Sequence, residues 1–181
     1  YIPYTKLFER IEDLNVLDAG KFEGYANRDS LVYRSAYGLD DIPTLFRGTL
    51  RRKGYSEAWN VFVQLGMTDD TYKIENSASI TNREFINMFL PFNDALTVEE
   101  KLCKQFSLTT DSVIFQKIAW LSAFSENKVG MENASPAQIL QAICEKKWTL
   151  GKFENVIKMK DRKKIAPPAP ACGLYLEKVI Y

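Results

Sequence analysis

Arginines in two short segments are the residues of this sequence best suited to chemistry. The first segment, Tyr25–Ser30, has the sequence Tyr-Ala-Asn-Arg-Asp-Ser, and the second, Phe46–Arg52, has the sequence Phe-Arg-Gly-Thr-Leu-Arg-Arg. A guanidinium group is a planar fork of permanently charged donors that matches a carboxylate through two parallel hydrogen bonds. On a strand, Arg47, Thr49 and Arg51 would share one face. The segments predict a site for a small substrate with several carboxylates. The alternative is that these arginines are solvated or paired with nearby aspartates, and spacing alone favours that alternative.

The rest of the composition excludes several other kinds of site. Histidine is absent, which removes Ser-His-Asp and Cys-His catalysis and imidazole metal ligands. The cysteines match no metal or redox spacing, so no metal site is predicted, and Cys103 and Cys144 are expected to be buried free thiols on apolar helix faces. The net charge of +1 attracts no nucleic acid at long range, and no apolar run is long enough to span a membrane. We therefore expect a soluble, cytoplasmic protein without a membrane partner.

Two strands and two helices are predicted around the arginine segments. Lys21–Ala26 is predicted to be a short strand, and the turn at residues 27–30 leads into a helix that Gly38 can end. Thr44–Arg51 is the second strand candidate. A helix capped by Ser56 follows, because apolar residues recur there at helical spacing.

The sequence becomes strongly helical after Thr81. Thr81–Glu84 and Thr97–Glu100 both have the spacing of a capping box, in which side chain and backbone satisfy each other's free amide donors. A further helix begins after Asp111 with Val113 facing inward, and Ser135–Pro136 places a cap before a first-turn proline. We expect an α+β fold with a mixed sheet, helices concentrated after residue 55, and no Rossmann unit.

The last part of the chain differs from the rest. Thr149–Lys160 is predicted to be a helix, Ala166–Ala171 must be extended because of its prolines, and Leu174–Tyr181 alternates like a strand. Basic residues outnumber acidic ones around Asp161. They could contact phosphates, or they could form a basic helix end that complements the helix dipole, and the sequence pattern by itself favours the second interpretation.

The motifs around the arginines resemble the saccharopine dehydrogenase family, of the NADP-linked, glutamate-forming kind. That family has an aromatic-x-Asn-Arg-Asp-Ser run, then Arg-Gly-Thr-Leu-Arg and a Gly-aromatic turn, which here are Tyr25–Ser30, Arg47–Arg51 and Gly54–Tyr55. Leu65–Asp70 and Ser135–Leu140 extend the likeness over about the first 150 residues. The resemblance implies a fragment of the family's C-terminal domain for substrate binding and dimerisation.

The resemblance also implies a site and a reaction. It assigns contact with saccharopine to Arg28, Thr49, Leu50 and Arg51, with possible support from Asn27, Asp29 and Arg47. The implied reaction of the parent enzyme, in lysine metabolism, is hydride exchange with NADP at the C–N bond that joins lysine's side-chain amine to the glutamate moiety. The implied partners are saccharopine, or a similar acidic amino-acid conjugate, and a second copy in a homodimer. No catalytic residue is assigned.

The nucleotide-binding half of such an enzyme is not found in these residues. No Gly-x-Gly-x-x-Gly follows a predicted strand anywhere in the sequence, and that motif forms the pyrophosphate cradle. No cofactor-binding residue is therefore predicted. We expect the chain alone to bind no NADP and to lack dehydrogenase activity.

The tail resembles a different family, the TruA-type tRNA pseudouridine synthases, which end in the order Lys-Asp-Arg, an Ala-Pro-rich segment and Gly-Leu-x-Leu. These are Lys160–Arg162, Ala166–Ala171 and Gly173–Leu176 here. We predict two parts, residues 1–150 and 151–181, joined by a gene fusion, an assembly artefact or a built chimera. Two alternatives to a dehydrogenase fragment stay open: a remnant of an RNA-modifying enzyme, which would bind nucleic acid through the tail, and a non-catalytic protein-interaction domain.

Overall fold

An antiparallel sheet organises the first part of the chain. The computed structural model describes residues 2–27, 30–45 and 47–146. They divide between Gln64 and Leu65 into two units, here called the sheet unit and the helical unit. The three strands of the sheet unit are β1, Glu12–Val16, β2, Gly20–Ala26, and β3, Gly48–Arg52, in the order β1-β2-β3.

Short helices complete both units. In the sheet unit they are the 3-10 helices Tyr4–Glu9 and Leu17–Ala19 and the α-helices α1, Tyr33–Ala36, and α2, Tyr55–Gln64. In the helical unit they are α3, Asn82–Asn87, α4, Val98–Phe106, α5, Val113–Trp120, and α6, Pro136–Glu145. The α+β class is confirmed.

The strand predictions hold for β2 and in part for β3. β2 begins one residue before the predicted Lys21, whereas β3 begins at Gly48 and not at Thr44. The prediction of a mixed sheet is wrong for the described strands, because both pairings are antiparallel. The link Leu17–Ala19 between β1 and β2 is too short for a parallel crossover. β1 itself was not predicted, because its residues are mostly polar and exposed.

One face of the sheet is buried. Glu23 lies opposite Arg51 and Tyr25 lies opposite Thr49 in the register of β2 and β3, so these four side chains share that face. The first 3-10 helix and α2 cover it. Phe8 packs edge-on against Tyr25, with 4.9 Å between the ring centroids. Glu23 and Arg51, two charged side chains on this face, are therefore buried away from water.

The opposite face carries the alternate residues and is more open. Leu50 is 37% exposed there, and the guanidinium of Arg52 lies 4.8 Å from the ring centroid of Phe22. Gly24 is in the same row. A Cβ on Gly24 would come within 2.9 Å of the Leu14 side chain, so glycine allows the leucines of the neighbouring strands to close over β2.

The helical unit follows local sequence rules closely. The Thr81 hydroxyl accepts the amide of Glu84 at 3.0 Å, while the Glu84 carboxylate accepts the amide of Thr81 at 2.7 Å. The capping box at Thr97 is formed in the same way, and Ser135 forms a third one. The three caps predicted in the helical unit are therefore confirmed, because each depends on residues only three positions apart.

Deeply buried apolar side chains form the core of the helical unit. Its most deeply buried apolar side chains are Met67, Phe85, Ile86, Leu102, Ile118 and Ile139. The inward placement of Val113 is wrong: this residue is 65% exposed, because it is the first residue of α5 after the Ser112 cap. Cys144 is buried, as predicted, whereas Cys103 is only partly buried. The predictions for the tail lie outside the described residues.

Candidate functional site

Arg51 is the most deeply buried charged side chain among the described residues, with 1% exposed. Its Nη1 donates to the carbonyl of Leu50 at 3.0 Å. Its Nε and Nη2 are buried and have no hydrogen-bond partner among the described residues. A buried donor without a partner is costly, because it has given up water and gained nothing in exchange. The structure therefore leaves two donors of a buried cation available to an anion.

Two phenol rings flank the Arg51 guanidinium. Its central carbon lies 5.1 Å from the ring centroid of Tyr55 and 5.9 Å from that of Tyr25. Tyr55 stacks in turn on Trp59, with 5.9 Å between centroids and 8° between planes. A cation is attracted to the face of an aromatic ring. The rings therefore help to hold the guanidinium in place.

Both phenols remain protonated at neutral pH. Burial is the largest cause that raises the pKa of Tyr25 and of Tyr55, and the positive charge of Arg51 offsets part of the increase. A neutral phenol can donate a hydrogen bond and does not repel an anion. The site thus combines one fixed cation with uncharged donors.

Glu23, directly opposite Arg51 in the sheet, is not its ion-pair partner. Glu23 is 4% exposed, and its carboxylate accepts the backbone amides of Gly54, at 2.7 Å, and of Ser56. These amides lie at the start of α2, where backbone donors lack partners within the helix. The cap predicted at Ser56 is therefore wrong: α2 begins at Tyr55, and the capping oxygens come from β2.

The residues that the sequence assigns to substrate are only partly brought together. Thr49 and Arg51 share the buried face of β3. Leu50 points to the opposite face, beside Gly24, so its side chain is separated from theirs by the sheet. Arg28 and Asp29 lie outside the described residues.

The two supporting residues that are described contact each other next to the site. The amide of Asn27 donates to the carbonyl of Arg47 at 3.0 Å, which extends the pairing of β2 and β3 by one step. The Arg47 guanidinium lies 3.5 Å from the ring centroid of Tyr33 in α1. Arg47 is thus stacked on an aromatic ring of its own.

Sequence reasoning missed Glu23 and gave no role to Tyr55. The available signal was the alternation in β2: Glu23 is two residues from Tyr25, and an acidic residue on the same face as an aromatic one is unusual unless it has a specific partner. The partners of Glu23, the amides of Gly54 and Ser56, lie more than thirty positions away in the sequence, so spacing could not identify them.

The helical unit has a surface depression that serves as a contrast. It has a volume of about 420 Å³ and is lined by Arg83, Glu99 and the stacked rings of Phe115 and Phe124. Arg83 donates two hydrogen bonds to Glu99, at 2.8 and 2.6 Å, and pairs with Glu126 at 3.0 Å. These bonds raise the pKa of Arg83 and lower that of Glu99. Arg83 already has its carboxylates, so the depression is not a site for another one.

The described residues do not fit a dinucleotide or a metal ion. Among the described strands no two are parallel, so the β-α-β unit that carries a pyrophosphate on its first turn is not formed there. The same part of the chain has no cluster of acidic or cysteine side chains that could hold a metal. It also contains no helix long and apolar enough to cross a membrane.

Fold and site together define an α+β domain with a buried cationic site suited to a carboxylate. Comparison with known proteins places it: the chain belongs to the saccharopine dehydrogenase C-terminal domain family, whose sequence model matches residues 1–171. The relation to lysine-metabolism dehydrogenases inferred from the arginine motifs is thereby confirmed at the level of the family.

Individual relatives agree with that assignment. Mouse mitochondrial alpha-aminoadipic semialdehyde synthase is 38% identical over 103 residues, which are 53% of this chain and 10% of that protein. Saccharopine dehydrogenase [NADP(+), L-glutamate-forming] of Saccharomyces cerevisiae is 26% identical over 140 residues, or 74% of this chain and 30% of the yeast protein. The solved structure of the apo L-Glu-forming yeast enzyme superposes with a TM-score of 0.62 at 25% identity, covering 77% of this chain and 32% of that one. The chain thus spans only a tenth to a third of these relatives.

A different relative shares a shorter segment. tRNA pseudouridine synthase A of Pelagibacter ubique is 64% identical over 42 residues, which are 23% of this chain and 17% of that protein. The saccharopine dehydrogenase family match itself continues to residue 171.

Proposed function

We propose that this chain is the substrate-binding part of an NADP-linked saccharopine dehydrogenase and that Arg51 binds a carboxylate of saccharopine. The observation that carries the proposal is the pair of Arg51 donors that have no hydrogen-bond partner in the described part of the chain. Nε and Nη2 form one edge of the guanidinium, and such an edge binds both oxygens of a carboxylate. Because the group is buried, the interaction is stronger than it would be in water.

The neighbouring side chains suit an acidic amino-acid conjugate. The Thr49 hydroxyl and the protonated phenols of Tyr25 and Tyr55 can donate further hydrogen bonds on the same face. Arg28 supplies a second cation in this proposal, on the strength of the motif that it shares with the family. Any contact of Leu50 with substrate is through its backbone, since its side chain is on the other face.

The reaction of the parent enzyme follows from the same proposal. It exchanges a hydride between NADP and the C–N bond that joins lysine's side-chain nitrogen to the glutamate moiety. The residues described here bind and orient the substrate, and the nucleotide is held outside them. We therefore expect no NADPH-dependent turnover of saccharopine precursors by the purified 181-residue chain.

A calorimetric titration of the chain with saccharopine tests the proposal. We expect saturable binding to the wild type, and weaker binding of lysine or glutamate, which each carry only part of the conjugate. Arg51→Lys keeps the charge and loses the fork, and should weaken binding by roughly 1.5–3 kcal/mol, or about 10- to 150-fold. Arg52→Lys is the matched control, because Arg52 is on the same strand but on the opposite face, over Phe22, and it should change the Kd by less than about twofold, within the scatter expected of an uninvolved surface residue. Absence of saturable binding to the wild type would contradict the proposal.

The identity to tRNA pseudouridine synthase A favours a second candidate function, a remnant of an RNA-modifying enzyme. In that case tRNA, and not saccharopine, binds the chain, and replacing Lys158, Lys160 and Arg162 with alanine weakens the binding. Gel retardation of tRNA at physiological salt separates the two candidates, because phosphate contacts weaken steeply as salt increases. If neither ligand binds, a non-catalytic interaction domain is the remaining candidate. Light scattering of the purified chain tests the homodimer.

A further inference from the structure

We infer that Glu23 is a positioning residue for the anion site: it fixes the start of α2, and with it Tyr55, over the Arg51 guanidinium. This inference rests on the proposed function of Arg51. No contact of Glu23 with substrate is implied, because both of its oxygens are occupied by backbone amides.

The Glu23 carboxylate connects β2 to the turn at Gly54 and to the start of α2. Glu23 is in β2, and the amides that it accepts belong to Gly54 and Ser56, on either side of Tyr55. Gly54 has a positive φ of 81°, so the chain makes a turn there that suits glycine before entering α2. Glu23 therefore determines where the residue between the two amides, Tyr55, leaves the turn.

The charge of Glu23 suits this position. The N-terminal amides of a helix carry a partial positive charge, and a carboxylate is favourable beside them. Ordinarily a side chain at the helix start supplies the acceptor, as Thr81 and Thr97 do in the helical unit. In α2 the acceptor comes from a neighbouring strand, so the cap also ties the helix to the sheet.

The same bonds keep Glu23 from pairing with Arg51. Residues directly opposite each other in adjacent strands have Cβ atoms about 5 Å apart, within reach of an ion pair between long side chains. Among the described residues the two form none. An ion pair with Glu23 would occupy the guanidinium edge that a substrate carboxylate needs. Holding Glu23 on the helix start leaves that edge free.

Nuclear magnetic resonance of the ¹⁵N-labelled chain tests the inference without any ligand. The Nε–H signal of Arg51, assigned by its loss in Arg51→Lys, reports the rings around it and any new partner. We expect Glu23→Gln to shift this signal, because the glutamine amide cannot accept both backbone donors and the start of α2 moves. Glu100→Gln is the matched control: Glu100 also accepts a helix-start amide, at 2.8 Å from Thr97, but in the helical unit. It should leave the Arg51 signal unchanged.

Saccharopine titration of the same variants provides the second readout. The displaced Tyr55 phenol should lose its hydrogen bond to the substrate carboxylate, so the Kd of Glu23→Gln should rise by about tenfold, the usual effect of one lost hydrogen bond to a charged group. The Kd of Glu100→Gln should not change. If Glu23 only stabilises the fold, Glu23→Gln will lower the Tm without changing the Arg51 Nε–H signal or the Kd for saccharopine. That result would overturn the inference. If Glu23→Gln does not fold, Glu23→Asp, which keeps the charge and shortens the reach, carries the comparison. If wild type does not bind saccharopine, the proposed function fails, and the Arg51 signal alone decides the role of Glu23.

Discussion

Arg51 of the sheet unit and Arg83 of the helical unit show two different uses of the same side chain. Arg83 is 31% exposed and has two carboxylates, Glu99 and Glu126, within ion-pair distance. Arg51 is 1% exposed, donates to the carbonyl of Leu50 and forms no ion pair with any described residue. An arginine whose partners are supplied by its own unit contributes to stability. One that is buried without such partners is better explained by a ligand.

The buried polar residues of the two units differ in the same way. In the helical unit the described ones are uncharged, Ser77, Thr81, Asn82 and Ser135, and each forms a hydrogen bond within the unit. In the sheet unit they include the charged Glu23 and Arg51. Local structure accounts for the first group. Local structure also accounts for Glu23, which caps α2, whereas the Nε and Nη2 donors of Arg51 have no partner among the described residues, and the proposed carboxylate would supply one.

The largest expected effect concerns the core of the helical unit. Phe85 is 0% exposed and packs edge-on against Phe89, with 5.3 Å between ring centroids. Phe85→Ala should lower the free energy of unfolding by about 3–5 kcal/mol, because it removes a buried ring and leaves a cavity. Urea unfolding measures the loss. Phe92→Ala is the control, at a residue that is 89% exposed, and should cost less than about 0.5 kcal/mol. Equal effects of the two variants would contradict the assigned core.

A smaller effect is expected at a helix cap. The Thr97 side chain accepts the amide of Glu100 at 3.2 Å, so Thr97→Ala removes the partner of a helix-start donor. The free energy of unfolding should fall by about 1 kcal/mol. Thr97→Ser keeps the hydroxyl and should restore most of the loss. Failure of serine to do so would assign the effect to the methyl group of threonine.

The smallest of these effects is the pH-dependent ion pair of the helical unit. Hydrogen bonding to Arg83 is the largest cause that lowers the pKa of Glu99 below its ordinary value of 4.5. The Arg83–Glu99 pair should contribute about 0.5–1 kcal/mol to the free energy of unfolding, as expected for a partly exposed pair. Because the pKa of Glu99 is lower in the folded state, this contribution is complete above about pH 4.5 and is lost as the pH falls through the folded-state pKa. Urea unfolding of wild type and Glu99→Gln should differ most near neutral pH and converge in acid. A difference that grows in acid would contradict the assignment.

The helical unit was more predictable from sequence than the sheet unit. A capping box needs only residues three apart, so Thr81 and Thr97 were identified correctly. The cap of α2 comes from Glu23, and the nearest residues in sequence suggested Ser56 instead. A contact between β2 and the start of α2 joins residues that are far apart in the sequence, so local sequence patterns cannot predict it.

Adjacent arginines illustrate the same limit within the candidate site. Arg51 and Arg52 are equivalent in composition, yet the first is buried beneath α2 and the second is exposed over Phe22. Their difference follows from the alternation of β3, since successive side chains point to opposite faces. Sequence correctly grouped Thr49 with Arg51. The sequence could not show which face of the sheet is covered. It also gave no reason to place the side chain of Leu50 on a different face from the proposed site.

The most direct test of the account is the stability of the sheet unit in Arg51→Met, measured by amide exchange in β2 and β3 with and without saccharopine. Methionine fills similar space without charge, so the account predicts that the variant is as stable as wild type, or up to about 1 kcal/mol more stable, without ligand. Saccharopine at about 100 times its Kd should then stabilise the wild type by about 2.7 kcal/mol and leave Arg51→Met unchanged. A variant that loses several kcal/mol without ligand, and is still stabilised by saccharopine, would contradict the claim that Arg51 is held for a carboxylate.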